Sequence, residues 1–294
     1  MYDLVKVNDN DYYIDYPSKI GIVRINDNDV VLIDSGNDAY SAKKTLKILN
    51  ENGWNLKAVF NTHCHADHIG GNKYLQEHTG CKCFAFKTEE HFANATYFGP
   101  IALFGAKPIK KLSGKFFKAE QSVVSPLTDN DLPDGMSIIL LPGHTESMIG
   151  FLTKDKTAFI ADVVSSEKTI EKYGVCYLWD YKTALNTLDY VKEIDAEIFV
   201  PSHAEASKDI SALVEINKEQ ILKTEALLLE ICKKPTAFDD ILKQVFDYFS
   251  LSMTEGQFAL VGSTIRSYLS KMQEEKSLDI EFKDNYMLWV KKND

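Results

Sequence analysis

Ala58-Val59-Phe60-Asn61-Thr62-His63-Cys64-His65-Ala66-Asp67-His68 is the stretch on which the reading of this chain turns. Its apolar start reads as a buried strand, and three histidines and a carboxylate then fall between positions 63 and 68. On extended backbone His63 and His65 point the same way, because side chains alternate with period two. Asp67 and His68 fall in the turn that follows and can face a second point. Neutral imidazole suits zinc, and neighbouring carboxylates add the charge that a second cation needs. The plainer reading is a polar loop that holds no metal.

Histidine is scarce elsewhere, which gives the cluster its weight. The chain has 7 histidines in 294 residues, the others being His78, His91, His144 and His203. An isolated histidine is more often a satisfied core or surface residue than a ligand, and His78 and His91 are read that way. His144 and His203 differ because each ends an apolar run, Ile138-Ile139-Leu140-Leu141-Pro142-Gly143-His144 and Ile198-Phe199-Val200-Pro201-Ser202-His203. Strands that stop in such turns deliver the next side chain into loops at a sheet edge, where sites are usually built. Asp162 follows Ala158-Phe159-Ile160-Ala161 in the same manner.

The succession His-x-His-x-Asp-His, Gly-His, Ala-Asp and Ser-His resembles the metallo-β-lactamase superfamily in its two-metal hydrolase form, similar to the glyoxalase II and β-lactamase-like protein 2 groups. Upstream, Val30-Val31-Leu32-Ile33-Asp34-Ser35-Gly36 looks like that family's first motif. The resemblance spans about residues 1 to 210. It implies that His63, His65 and His144 hold one metal, that Asp67, His68 and His203 hold the other, and that Asp162 bridges them. It also implies a metal-bridging hydroxide as nucleophile, since coordination lowers the pKa of water from near 16 toward roughly 7. Asp67 and Asp34 are the expected catalytic carboxylates. Asp34 stands outside the ligand set, either orienting a ligand by hydrogen bonding or serving simply as a turn residue before Gly36. The cofactors implied are two divalent metal ions, zinc first, with iron or manganese accepted by the same donors.

Departures from the pattern narrow the choice within the family. The commonest β-lactamase subclass would carry cysteine where Asp162 stands, flavodiiron proteins a glutamate where His65 stands, and persulfide dioxygenases a smaller ligand set. Many members read Gly-His-Thr-Pro-Gly-Ser after the strand, whereas this chain has Gly143-His144-Thr145-Glu146-Ser147-Met148, which weakens substrate analogies.

Composition is that of an ordinary enzyme, 45% hydrophobic and 26% charged, with a formal net charge of -10. No apolar stretch approaches the roughly 18 residues of a membrane span, and Met1-Tyr2-Asp3-Leu4-Val5-Lys6 lacks the pattern of a signal peptide, so a cytoplasmic protein without membrane contact is expected. The 5 cysteines form no C-x-x-C pair and argue against a disulfide scaffold. Cys81 and Cys83 share one face of a strand-like run and are expected to be buried. Cys64, between two histidines, is expected to point away from the metals.

Short strands with turn signals between them are expected at Val5–Val7, Tyr12–Ile14, Ile20–Ile25 and Val30–Ile33, then a helix from Asp38 to Asn50 and another from Asn72 to His78 ended by Gly80. Strands follow at Met136–Leu141, Met148–Leu152 and Thr157–Ile160, a helix at Ala184–Ile194 and a strand at Glu197–Val200. Two halves of strands and helices indicate a layered α/β fold with two packed sheets, which the resemblance specifies as a four-layer αββα sandwich. Ala95 to Ala119 carries Tyr97, Phe98, Phe104, Phe116 and Phe117 among Gly and Pro, a composition that suits neither a regular helix nor a regular strand. It is read equally as a cover over the site or as packing onto the domain or a partner subunit. Val163 to Trp179 is a second segment that breaks the rhythm, near the predicted metals, in which Lys168 or Lys172 binds an anionic substrate group or is merely solvated.

Residues 1–210 are therefore read as the catalytic domain and 211–294 as a small C-terminal domain. Helices at Ser211–Lys233, Asp239–Phe249 and Thr254–Gln273, then a hairpin around Lys283-Asp284-Asn285, resemble a winged helix. Charge argues against nucleic acid: residues 211–294 hold eleven Lys or Arg against fourteen Asp or Glu, a net of −3, and Thr254–Gln273 has only Arg266 and Lys271 as cations. A role in closing the site wall or in forming a homodimer fits better. Three functions stay in view: a hydrolase of a small ester, thioester or lactone; a phosphodiesterase or ribonuclease, opposed by the net charge; and a non-catalytic metal-binding or interaction protein, opposed by a ligand set that leaves room for solvent.

Overall fold

Side chains of a strand alternate between two faces, so a strand covered on both sides must be apolar at nearly every position. In the computed structural model, which describes residues 2–292, the central strands meet this condition. The first sheet contains β1 Asp3–Lys6, β2 Asp11–Asp15, β3 Ile20–Arg24, β4 Asp29–Ile33, β5 Asn55–Phe60, β6 Lys82–Ala85 and β7 Val124–Pro126 in that order. Strands β1 to β4 form an antiparallel meander, and β4 to β7 run parallel. Between them lie α1 Ala39–Glu51, α2 Ala66–Ile69, α3 Asn72–Thr79, α4 Thr88–Asn94 and α5 Phe98–Phe104. The second sheet has the order β11-β10-β9-β8, from β8 Ser137–Leu140, β9 Ile149–Leu152, β10 Thr157–Ser165 and β11 Ile198–His203. Helices α6 Glu167–Tyr173 and α7 Tyr181–Val191 connect β10 to β11, which pair in parallel.

Alternation sorts these strands into layers. On β4, Val31 and Ile33 pack with Phe60, Phe151, Phe159 and Val200 between the two sheets. Val30 and Leu32, one position out of phase, pack with Ala42, Leu49 and Leu75 of the helices on the other side. Likewise Phe159 of β10 faces the first sheet, whereas Ala158 and Ile160 pack with Leu188 and Val191 of α7. The result is helix, sheet, sheet, helix, the αββα arrangement expected. Each large side chain so buried contributes roughly 1.5–3 kcal/mol. Local signals agree with the layers: Asp38 caps α1 by accepting from the Tyr40 and Ser41 amides, and Gly80 ends α3 in the left-handed region at φ 72.

The C-terminal segment comprises α8 Ser211–Ile231, β12 Thr236–Ala237, α9 Phe238–Tyr248, α10 Glu255–Glu274, β13 Leu278–Lys283 and β14 Tyr286–Lys291, the strands forming a small sheet β12-β14-β13. Its apolar side chains share one cluster with the second sheet's helical layer, from Ile160 and Leu188 through Val214 and Ile221 to Ile265 and Trp289. No helix among the described residues is long and apolar enough to cross a membrane.

Two local expectations need correction, and some short elements go beyond what the pattern predicts. The aromatic segment after Ala95 contains a regular helix, α5, whose Gly99-Pro100 sits in the first turn, where a missing amide proton costs nothing, and which Gly105 ends at φ 75. A one-turn 3-10 helix, Lys110–Ser113, follows. Strand β7 is only three residues long, too short to show a period, and is defined by its pairing with β6. Strand β10 does not stop before Asp162 but continues to Ser165 through register shifts at Ala161, and α6 then occupies part of the segment Val163–Trp179.

Candidate metal centre

The parallel arrangement gathers the site at one edge. Strand β4 ends at Asp34 and β5 leads to His63, while β11 ends at His203 beside the irregularity in β10 that presents Asp162. Asp34 and Ala161 both adopt left-handed backbone, φ 64 and φ 49, a conformation that costs a non-glycine residue about 1–2 kcal/mol and that tends to persist at functional sites. Gly143, before His144, has φ 126, and a Cβ there would lie 2.6 Å from the Ala184 backbone, so only glycine lets this loop approach α7.

All seven residues singled out in the sequence converge. His63, His65 and His144 form one group of donor atoms and Asp67, His68 and His203 another, while Asp162 also groups with His63 and His68. His65 Nδ1 lies 3.0 Å from both His63 Nε2 and His144 Nε2. Tetrahedral zinc with bonds of about 2.0–2.1 Å spaces its nitrogens by roughly 3.3 Å. Asp162 joins the groups: its Oδ1 is 3.3 Å from His68 Nε2, and its Oδ2 is 3.4 Å from His144 Nε2 and 3.2 Å from His203 Nε2. Asp67 Oδ2 stands 3.3 Å from His203 Nε2 and 3.5 Å from His68 Nε2.

Hydrogen bonds settle which nitrogen of each ring faces inward. His144 Nδ1 donates to the Tyr177 carbonyl at 3.1 Å, and His203 Nδ1 to the Pro17 carbonyl at 2.6 Å. His68 Nδ1 donates to Asp34 Oδ2 at 2.7 Å. Thr62 gives its hydroxyl proton to the same Asp34 oxygen at 2.8 Å, so the hydroxyl must accept from His63 Nδ1, 3.0 Å away. Asp34 Oδ1 takes the Thr62 amide at 2.8 Å. Nε2 of four rings thus faces the centre, and one carboxylate, Asp34, orients a histidine in each group.

Electrostatics distinguish the two groups. Burial holds His63 well below the ordinary imidazole value, with His68 and His65 adding to the effect. Burial likewise lowers His65 and brings His144 to about 4. The first group is therefore three neutral rings with lone pairs converging. In the second group burial opposes charge but loses: Asp162, Asp67 and Asp34 lift His68 well above its usual range, and Asp162 and Asp67 lift His203 to about 10. The same imidazoles hold Asp67 and Asp162 well below the carboxylate range against their burial. Asp162 Oδ1 is buried and accepts no hydrogen bond. A buried, unpartnered acceptor among converging imidazole nitrogens fits a bound cation.

Two contributors escaped the sequence reading. Thr62 could have been suspected from its place before His63. Glu89 carried no signal at all, standing on α4 far along the chain. Only 2% exposed, it accepts from the Cys64 amide at 2.9 Å through one oxygen and from the Thr145 hydroxyl and Ser147 amide, at 2.6 and 3.1 Å, through the other. It clasps the loop carrying His65 to the loop carrying His144. Cys64 faces this carboxylate and the cavity, and burial together with Glu89 raises its thiol well above the ordinary value. Glutamine at position 89 would set an NH2 group against one of those amides. Glu89→Gln is expected to weaken metal binding at His63, His65 and His144 by roughly 10- to 100-fold in chelator competition; wild-type affinity would show that the clasp does not position the ligands.

The site opens into a cavity of about 900 Å³, bordered by His65, Asp67, His144, Asp162 and His203, by the segment 95–119 through Gly99, Leu103 and Phe117, and by α10 through Gln257 and Leu260. Lys168 and Lys172 stand exposed at its edge. All five cysteines are free, with Cys81 and Cys83 buried side by side.

The family model of the metallo-beta-lactamase superfamily matches residues 14–203. Hydroxyacylglutathione hydrolase GloC of Haemophilus influenzae is 29% identical over 137 residues, 45% of this chain and 60% of that protein. The chain spans less than two-thirds of the length of the curated relatives it matches first. In solved structures, a metallo-beta-lactamase family protein from Thermus thermophilus superposes with TM-score 0.71 at 18% identity, covering 98% of this chain and 100% of that one. A beta-lactamase domain protein from Burkholderia ambifaria gives 0.75 at 14%, covering 99% and 94%. With well over half of its residues matched by the family model and the layers and strand edges as described, this chain belongs to the metallo-β-lactamase superfamily.

Proposed function

We propose that the protein is a dinuclear metallohydrolase of a small ester, thioester or lactone. The observation that carries this reading is the pair of donor groups joined through Asp162 at the wall of a cavity large enough for a drug-sized molecule. His63, His65 and His144 would hold one cation and Asp67, His68 and His203 the other, Asp162 offering an oxygen to each; zinc suits the preponderance of nitrogen donors. Bound there, divalent cations supply Lewis acidity and make water nucleophilic at neutral pH. The chain's own part is to keep the Nδ1 protons of His63, His68, His144 and His203 on fixed acceptors, so that every ring stays turned inward. Resemblance to hydroxyacylglutathione hydrolases favours a thioester.

A phosphodiesterase or ribonuclease is the second reading, favoured by the element order of residues 211–292, helix, strand, two helices and a hairpin, which resembles a winged helix. Against it, a chain of net charge -10 repels a polyanion, and α10, the element that would read nucleic acid, borders the cavity instead. Elemental analysis of protein purified without added metal is expected to find close to two transition-metal ions per chain. In an assay of thioesters and lactones beside bis-(p-nitrophenyl) phosphate and single-stranded RNA, turnover is expected for the former; turnover of RNA alone would overturn the preference.

A further inference from the structure

Beyond its metal-facing end, the cavity's surface is mainly apolar, with Leu103, Phe117, Ile170, Leu178 and Leu260 contributing from α5, the loop after it, α6, the α6–α7 loop and α10. The polar side chains of α8 that border it, and Tyr268 of α10, are already engaged. Asn217 donates to the Ser165 and Leu213 carbonyls and accepts from the Ser165 amide, Gln220 donates to the Gly174 carbonyl, Thr224 to the Gln220 carbonyl at 3.0 Å and Tyr268 to the Ile221 carbonyl at 3.3 Å. A polar guest lying there would give up its hydration for few partners in return. At the mouth the opposite holds: Phe92, Phe116 and Trp179 border the same cavity yet remain 37%, 73% and 56% exposed. Apolar surface left in water at the edge of a cavity, here beside Lys168 and Lys172, marks a place where an apolar group can dock.

We propose that the substrate carries an extended apolar acyl chain, which lies along this wall while its carbonyl reaches the metal-facing end. The inference rests on the hydrolase reading and deepens it: the acyl group selected is a hydrocarbon chain, not a short hydroxyacyl group. The cavity's volume, about 900 Å³, is at the upper end of ordinary ligand pockets, far more than a two- or three-carbon acyl group fills. Each methylene moved from water onto apolar wall favours binding by roughly three- to fourfold.

The test uses the metal-loaded full chain and N-acetylcysteamine thioesters with saturated acyl groups of two, four, six, eight and ten carbons, beside the lactoyl thioester. The value of kcat/KM is expected to climb across the series, by roughly a hundredfold or more between two and eight carbons, with lactoyl near the bottom. A flat series, or lactoyl at the top, overturns the proposal and leaves the hydrolase reading standing. Should neither these thioesters nor the matching lactones turn over, the hydrolase reading falls while the chain-binding claim is still decided by tryptophan fluorescence on titration with decanoate against butanoate; equal affinities overturn it. Leu260→Trp, filling the wall, should lower kcat/KM for the ten-carbon thioester more than for the two-carbon one, with folding checked by melting temperature. Equal losses would remove Leu260 from the chain's path.

Discussion

Replacing Asp162 with alanine is expected to reduce bound metal from about two ions per chain to one or fewer and to lower kcat/KM by about 10³-fold or more, some 4 kcal/mol of transition-state stabilisation. Its two carboxylate oxygens face histidines of both donor groups, so a single substitution removes the carboxylate they share. Without it, His68 and His203 lose their largest favourable electrostatic partner and meet an incoming cation as bare neighbours of Asp67. Asp162→Asn keeps the volume and guards against a trivial folding defect; it too should lose metal, because a neutral amide offers one acceptor where the site uses two. Full metal content and full turnover in either variant would remove Asp162 from the shared position.

Asp34→Asn is expected to have the next largest effect, although position 34 touches no donor atom at the centre. The Thr62 amide is a fixed donor and requires an acceptor at Oδ1. An asparagine must therefore put its carbonyl there and its NH2 where Oδ2 was, facing His68 Nδ1 and the Thr62 hydroxyl. His68 can only respond by moving its proton to Nε2, the nitrogen that faces Asp67 and Asp162. Metal affinity at the Asp67, His68 and His203 group should fall by roughly 10- to 100-fold, with activity following it. Asp34→Ala additionally strips a buried imidazole and a buried amide of their acceptor, and should cost about 3 kcal/mol of stability besides. Titration with a chelator separates the two expectations; an Asn variant that binds both ions as tightly as wild type would show that the tautomer is set elsewhere.

Much of the fold could be read from local pattern. Val30-Val31-Leu32-Ile33 is apolar throughout because both faces of β4 are covered, and the strands, α1, α3 and the C-terminal helices lie within a few residues of where periodicity puts them. Failures came where the pattern was short or composition misled. Strand β7 has three residues, and α5 begins with Gly and Pro that look like helix breakers but stand in the first turn, where they are tolerated. Asp162 was placed after a strand that in fact runs on to Ser165, since a bulge leaves no trace in a hydrophobicity profile.

Spacing within the chain determined which side chains could act together: two histidines on one face of extended backbone and a carboxylate and histidine in the turn beyond depend only on the period of a strand. Tertiary structure alone decided the rest. That Asp34 reaches histidines of both groups, that Glu89 of α4 clasps two loops from different sheets, and that α10 closes a cavity at the far edge are consequences of how layers stack across long stretches of chain. Local periodicity records which face of an element is buried, but not what is buried against it, and a substrate is chosen by the second of these.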